Sequence, residues 1–239
     1  MIVLIIVQLI IILLFLFLGW LVLSRNAYYL ISGFSTRPKE EQEELIQNGS
    51  VQNTGKLLIA TGVGMLVLLP LHLTSFAYTM EVQFGFMLVF LLGGTVYLSK
   101  YEVARKQKRS YLISSSLFVI VMGFVVGLYT LGTQDYEIKF TDDTFEITGM
   151  YGDKWDRSTI QTVKLLDEMP PVTRKNNGFG LSTLSKGEFT VEGYGKSLLF
   201  VRKQSSPIVY IELADEKIFI NGETSEETKD WYEQLKTSE

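Results

Sequence analysis

Four long apolar windows separated by short polar segments fill the first 132 residues of the chain. Beyond them apolar and polar positions alternate. Residues 1–23 are apolar, broken only by Gln8, Gly19 and Trp20. As a helix rising about 1.5 Å per residue this stretch reaches roughly 34 Å, enough to cross a bilayer core with some tilt. Residues 57–79, 82–99 and 112–131 predict three further spans, with the second and third joined as a tight hairpin. Pro70 predicts a kink in the second span, tolerated where neighbouring helices satisfy the freed carbonyl. Gly123 and Gly127 in the fourth have the small-xxx-small spacing that lets helices approach closely, and so offer a route to a homo-oligomer. A transmembrane region over residues 1–132 and a separate domain over residues 133–239 follow.

The polar connections have structure of their own. Residues 27–34 are aromatic and apolar but too short to span, and suit the membrane interface. Ser35 or Thr36 is then expected to cap a short helix near residues 37–47, ended by Asn48-Gly49. Glu40, Glu41, Glu43 and Glu44 lie in its early turns, where the helix dipole favours negative charge. Such a cluster can hold a cation, but a solvated helix face is the expected reading. The Asn48-Gly49-Ser50 triplet matches a glycosylation acceptor, which is silent if this connection faces the cytoplasm.

From Tyr136 the period becomes two. Tyr136, Ile138 and Phe140 alternate with Glu137 and Lys139, Asp142-Asp143 sits in a turn, and Phe145 and Ile147 alternate with Glu146 and Thr148: a hairpin. Strands are expected over residues 160–165, 188–192, 197–202, 208–213 and 217–220, with turn residues between them, among them Pro170-Pro171 and Asn176-Asn177-Gly178. Thr224 and Glu227 form a capping box before a helix that carries Trp231 and Leu235 one turn apart. Six or seven antiparallel strands closed by one amphipathic helix predict a small barrel or sandwich plugged by that helix.

Charge changes the picture in two ways. The chain of 239 residues has a net charge of −4, but its halves differ: up to Gly132 there are nine Lys/Arg and six Asp/Glu, and from Thr133 onward thirteen and twenty. An acidic domain argues against nucleic acid and against docking on anionic lipid by bulk charge. All nine basic residues of the membrane half lie in or beside the first and third connections, and none in the second. Positive charge favours the cytoplasmic side, so the N-terminus and the C-terminal domain are expected to be extracytoplasmic. The first span lacks the positive n-region and small-residue cleavage site of a signal peptide, and is expected to be retained. There is no cysteine, which removes disulfides and thiolate chemistry.

Residues 136–235 resemble the bacterial pleckstrin-homology-like (PH-like) domains. The matching features are the hairpin through Phe145-Glu146-Ile147, the Tyr151-Gly152 step, Asn177-Gly178-Phe179-Gly180, the strand from Gly187 to Gly193, Asn221, and the terminal helix bearing Trp231. The resemblance implies a seven-stranded, two-sheet barrel capped by a helix. Phosphoinositide-binding members of the wider superfamily carry basic residues in the first hairpin loop. Here that loop is Asp142-Asp143, so no headgroup site is carried over. The segment from Tyr28 to Thr36 followed by Lys39-Glu40-Glu41 resembles a small bacterial integral-membrane family of unknown function. That likeness implies a bacterial cell-membrane protein and no activity.

Candidate chemistry is sparse. His72, the only histidine, lies in the second span and is a candidate intramembrane polar site, although no charged residue lies inside any span to pair with it. The domain has no histidine, so a Ser-His-acid triad and histidine metal sites are excluded there. Gly178-Phe179-Gly180 is not a nucleotide fingerprint, since no βαβ unit surrounds it. Residues 166–186 read as a long connection, a candidate interaction loop. With Arg174, Lys175 and Phe179 in it, and with Arg202 and Lys203, it makes a candidate partner-binding set. The expected protein is a non-enzymatic, multi-pass membrane adaptor or sensor without cofactor or metal, its PH-like module engaging a protein or peptide. The alternative is a subunit or regulator of a small-solute transporter or channel, motivated by Gly-rich spans, Pro70 and His72.

Overall fold

A computed structural model describes residues 2–236, in two compact units, Met1–Val125 and Val126–Glu239. The first is helical: α1 (Ile2–Ser24), α2 (Lys39–Gln47), α3 (Ser50–Leu68), α4 (Thr79–Leu98) and α5 (Gln107–Gly132), the last running on into the second unit. Four of these, all but α2, are long and apolar enough to cross a membrane.

The centre of the first unit is α3, packed against α1 on one side and α4 on the other. Small residues permit this approach. A Cβ on Gly19 of α1 would lie 2.6 Å from Ile59 Cγ1 and 2.8 Å from the Gly55 carbonyl oxygen. A Cβ on Gly94 of α4 would lie 2.3 Å from the Leu57 side chain. The second span differs from the expected kinked helix over residues 57–79. The α-helix begins earlier, at Ser50, and stops at Leu68, and a 3₁₀ turn over Leu69–Leu73 carries Pro70. Proline has no N–H to continue the ladder, and its ring clashes with the carbonyl one turn back. Along α5 most side chains face outward, and among the described residues nothing outside the helix's own neighbouring backbone comes within 4 Å of a Cβ placed on Gly123 or Gly127.

In the first connection the expected caps are not used. The residue before α2 is Pro38, and the Thr36 hydroxyl instead donates to the Gly33 carbonyl at 3.0 Å. The solvated acidic face is also only partly so, because Glu41 is buried.

Among its described residues the second unit holds nine strands rather than six or seven. β1 (Ile138–Phe140), β2 (Thr144–Ile147) and β3 (Lys154–Asp156) form an antiparallel sheet in register Ile138 to Ile147 and Phe145 to Trp155. The larger sheet runs β4 (Ile160–Leu166), β8 (Ile208–Leu213), β9 (Lys217–Ile220), β7 (Gly195–Arg202), β6 (Leu184–Val191), β5 (Val172–Gly180). Every pair in it is antiparallel except β7 with β9. The expected barrel is not closed, since β4 and β5 remain unpaired edges. The capping helix α6 (Ser225–Lys236) is present with its capping box: Thr224 Oγ1 accepts from the Glu227 N–H at 3.1 Å, and Glu227 accepts from the Glu223 N–H at 2.7 Å.

Both faces of the larger sheet are buried, which explains the unbroken apolar runs in β7 and β8. Leu198, Phe200, Val209, Ile211, Ile218 and Ile220 pack with Tyr136, Phe145, Ile147, Trp231 and Leu235. The alternate residues Leu199, Val201, Ile208, Tyr210 and Phe219 form a second core with Phe189 and Val191, covered by Leu166, Met169 and Tyr194. The expected long loop over residues 166–186 is mostly strand. Its Asn176-Asn177-Gly178 turn lies inside β5, where the register slips between Lys175 and Asn177. A bulge absorbs one extra residue and lets pairing continue, so the turn-prone residues bend the strand without ending it.

Candidate functional site

Only residues 167–171 separate β4 from β5, although these strands form opposite edges of the sheet. This short strap and the turn after β7 border a cleft of about 580 Å³ in the second unit. Its floor is Leu199, Val201 and Ile208 of the second core; Asp167, Glu168, Met169, Pro170 and Pro171 form one wall, and Gln204, Ser205 and Ser206 the other. An apolar floor with a polar rim is the usual make-up of a binding cleft. Met169 is unbranched and adaptable, suited to a wall that conforms to an occupant.

The second wall is held from below by Asn221, which is fully buried. Its side-chain amide donates to the carbonyls of Arg202 (2.9 Å) and Ser205 (2.8 Å), and its oxygen accepts from the Arg202 N–H at 2.7 Å. Tyr136 joins the same hub, its hydroxyl donating to the Phe200 carbonyl at 2.7 Å and the Asn221 carbonyl at 2.9 Å. Burial pushes that hydroxyl's pKa up, so it stays a donor. Asn221 stood out in the sequence only as a family feature. An asparagine just after a strand of β-branched residues is the local signal for a turn-holding role, but nothing in the pattern gives its partners.

The candidate residues do not form one patch. Arg174 stands opposite Thr190 of β6, while Arg202 stands opposite Leu184. Six residues of strand separate those positions, about 20 Å at about 3.3 Å per residue. Arg174 and Lys175 are exposed on edge strand β5. Arg202 and Lys203 line the cleft beside the strap, where Arg202 pairs with Asp135 (3.0 Å) and Glu223 (3.2 Å) and Lys203 donates to the Leu181 carbonyl at 2.6 Å. Phe179 packs edge-on to Tyr151, ring centroids 6.3 Å apart, and lies against Gly132. One cation went unmarked as part of this cluster: Lys186 is fully buried, donates to the Gln134 carbonyl, and lies with Arg202 near the Tyr136 ring. Burial, then the Arg202 charge, lowers its pKa.

In the first unit the polar groups tie the connections together. Glu41 accepts from Arg105 and from Lys106 (2.7 Å), and Arg37 forms a two-bond pair with Glu102 at 2.5 and 2.9 Å. The hydrogen bonds from Lys106 and Arg105 hold the Glu41 carboxyl below its ordinary pKa. Beneath this network lies a cavity of about 530 Å³ lined partly by Phe34, Arg37, Thr54, Ser99 and Glu102. His72 Nε2 lies 2.5 Å from Gln8 Oε1, and Gln8 Nε2 lies 3.2 Å from Met80 Sδ. One turn along α4 from Met80, Gln83 is fully buried, and neither amide atom has a hydrogen-bond partner among the described residues. Among the described residues no group of three or more His, Asp or Glu is placed to hold a metal ion.

Residues 129–236 match the family model described as a bacterial PH domain. Residues 9–102 match that of a domain of unknown function (DUF3784). No curated protein and no solved structure matches the chain. Both sequence resemblances are thus supported: the protein combines a membrane-helix region with a PH-like module.

Proposed function

We propose that this is a non-enzymatic adaptor or sensor of the bacterial cell membrane, whose PH-like module binds an extended peptide or protein segment in the cleft beside the 167–171 strap. The observation that carries this reading is the apolar floor of Leu199, Val201 and Ile208 between the mixed wall of the 167–171 strap and the polar turn Gln204, Ser205 and Ser206. Strand addition is less favoured, because both edges carry register shifts and β5 adds Arg174 and Lys175, features that discourage edge pairing. The lysine and arginine bias of the connections supports an extracytoplasmic module and N-terminus. The outward-facing Gly123 and Gly127 support self-association through α5. A photo-crosslinking residue at Gln204, in intact cells, tests the cleft. One defined adduct is expected from Gln204 and none from the same probe at Asn176 on β5, and Met169→Arg should abolish the adduct. An adduct untouched by Met169→Arg would refute the cleft.

The second reading is a subunit or regulator of a small-solute transporter or channel, favoured by one observation: the unsatisfied amide of Gln83 close in sequence to the Met80 end of the Gln8–His72 cluster. Unchanged solute flux in His72→Ala and Gln83→Leu variants would dismiss it.

A further inference from the structure

The side of the α3–α4 hairpin carries a groove of about 470 Å³ in the first unit. Leu57 and Ala60 line it from α3, and Val89, Phe90, Gly93 and Gly94 from α4. Gly93 gives it depth, since the nearest atom to a Cβ there is Phe118 Cε2 at 3.9 Å. At one end the lining changes to Asn53, Lys56 and Tyr97. From Val89 to the mouth at Tyr97 the groove runs eight residue steps of helix, about 12 Å. Lys100 Nζ sits 3.6 Å from the centroid of the Tyr97 ring, which places a second cation at the same mouth.

The basic residues in and beside the first and third connections differ in their partners. Arg37, Arg105 and Lys106 are taken up by Glu41 and Glu102. Lys56 and Lys100 make no salt bridge among the described residues. Lys100 rests its ammonium on the rings of Tyr97 and Tyr101, 3.6 and 4.7 Å from their centroids, and Lys56 is exposed. A lysine without a carboxylate partner near a membrane surface offers its charge to the headgroups while its stem covers apolar surface. An apolar channel that ends at two such ammonium groups complements an acyl chain joined to a negatively charged phosphate, and basic pockets between spans bind such headgroups. We propose that the groove binds an anionic phospholipid of the surrounding bilayer, with one acyl chain along Ala60 and Gly93 and the headgroup phosphate between Lys56 and Lys100. The site is separate from the PH-like cleft and stands or falls independently of it.

Native mass spectrometry of the delipidated full-length protein tests this, with equimolar phosphatidylglycerol and phosphatidylcholine of identical chains. The wild type should retain the first phosphatidylglycerol about 25-fold over phosphatidylcholine, a preference of roughly fivefold for each of the two lysines near a membrane surface. Lys56→Gln with Lys100→Gln should bring the ratio close to one. Lys108→Gln with Arg109→Gln removes the same charge from the start of α5, where neither residue lines the groove, and should leave the ratio unchanged. Ala60→Phe fills the groove and should lower retention of both lipids several-fold. The proposal is overturned if the wild type shows no preference, if the α5 pair abolishes the preference equally, or if Ala60→Phe retains lipid as the wild type does.

Discussion

Replacing Asn221 isolates the hub beneath the cleft wall. Asn221→Ala removes three hydrogen bonds of 2.7–2.9 Å and leaves the Arg202 N–H and the Arg202 and Ser205 carbonyls without their partner. A hydrogen bond contributes about 1 kcal/mol net, and an orphaned buried group costs about 1–3 kcal/mol. Water can reach the half-exposed turn at Arg202 and Ser205 and rescue part of this. The loss should therefore be about 3 kcal/mol, toward the lower end of the range. In a domain of this size about 1 kcal/mol moves the midpoint by about 4–8 °C, so Tm should fall by roughly 12 °C or more. Asn221→Asp keeps the volume and the acceptor but sets a carboxylate oxygen against two carbonyl oxygens. It should cost at least as much as alanine at pH 7 and recover partly at low pH, when protonation restores one donor. Trp155 and Trp231 report on this domain, so urea and thermal unfolding of the detergent-solubilised protein can be followed by fluorescence. If both variants unfold within about 1 kcal/mol of the wild type, the hub does not hold the turn.

Three further outcomes follow from the same geometry. Glu41 has a folded pKa below its ordinary 4.5, so its contribution is complete above that value and is lost as pH falls through the lower folded one. Thermal scans between pH 6 and 3 should show a destabilisation of the wild type that Glu41→Gln lacks. Lys186 is depressed below 10.5, so its burial penalty stands in full at neutral pH and is relieved as pH rises toward that value. Lys186→Met should raise Tm by a few degrees at pH 7, about 1 kcal/mol, with the advantage shrinking in scans toward pH 10. Leu235→Ala empties a fully buried position under α6 and should cost about 2–5 kcal/mol in the same urea titration.

The spans, the opening hairpin and the capped terminal helix were legible because each rests on local chemistry: unbroken apolar length, strict alternation, and the Thr224–Glu227 box. Pro70 predicts a kink, but its missing N–H ends the α-helix at Leu68 and the span runs on as the 3₁₀ turn Leu69–Leu73. β5 was hidden because Asn-Asn-Gly is turn chemistry that a bulge can absorb inside a strand, and β3 because three residues hold too little pattern. The basic pairs looked like one surface because a sequence gives adjacency but not register. Arg202 and Lys203 are engaged by Asp135, Glu223 and Leu181, groups 20 or more residues away in the chain. The 166–186 stretch reads as one long loop in the sequence, but only residues 167–171 are connection before β5 begins. The location of the cleft required knowing that β4 and β5 are opposite edges joined by five residues.

Display of the PH-like module on the extracytoplasmic side is the central claim, and the absence of native cysteine makes it directly measurable. Gln204→Cys on the cleft wall and, separately, Lys108→Cys on the third connection would be treated in intact cells with a membrane-impermeant maleimide. Labelling at residue 204 and protection at residue 108 until the cells are lysed is the predicted result. The reverse pattern would contradict the account, placing the module in the cytoplasm and its partners with it.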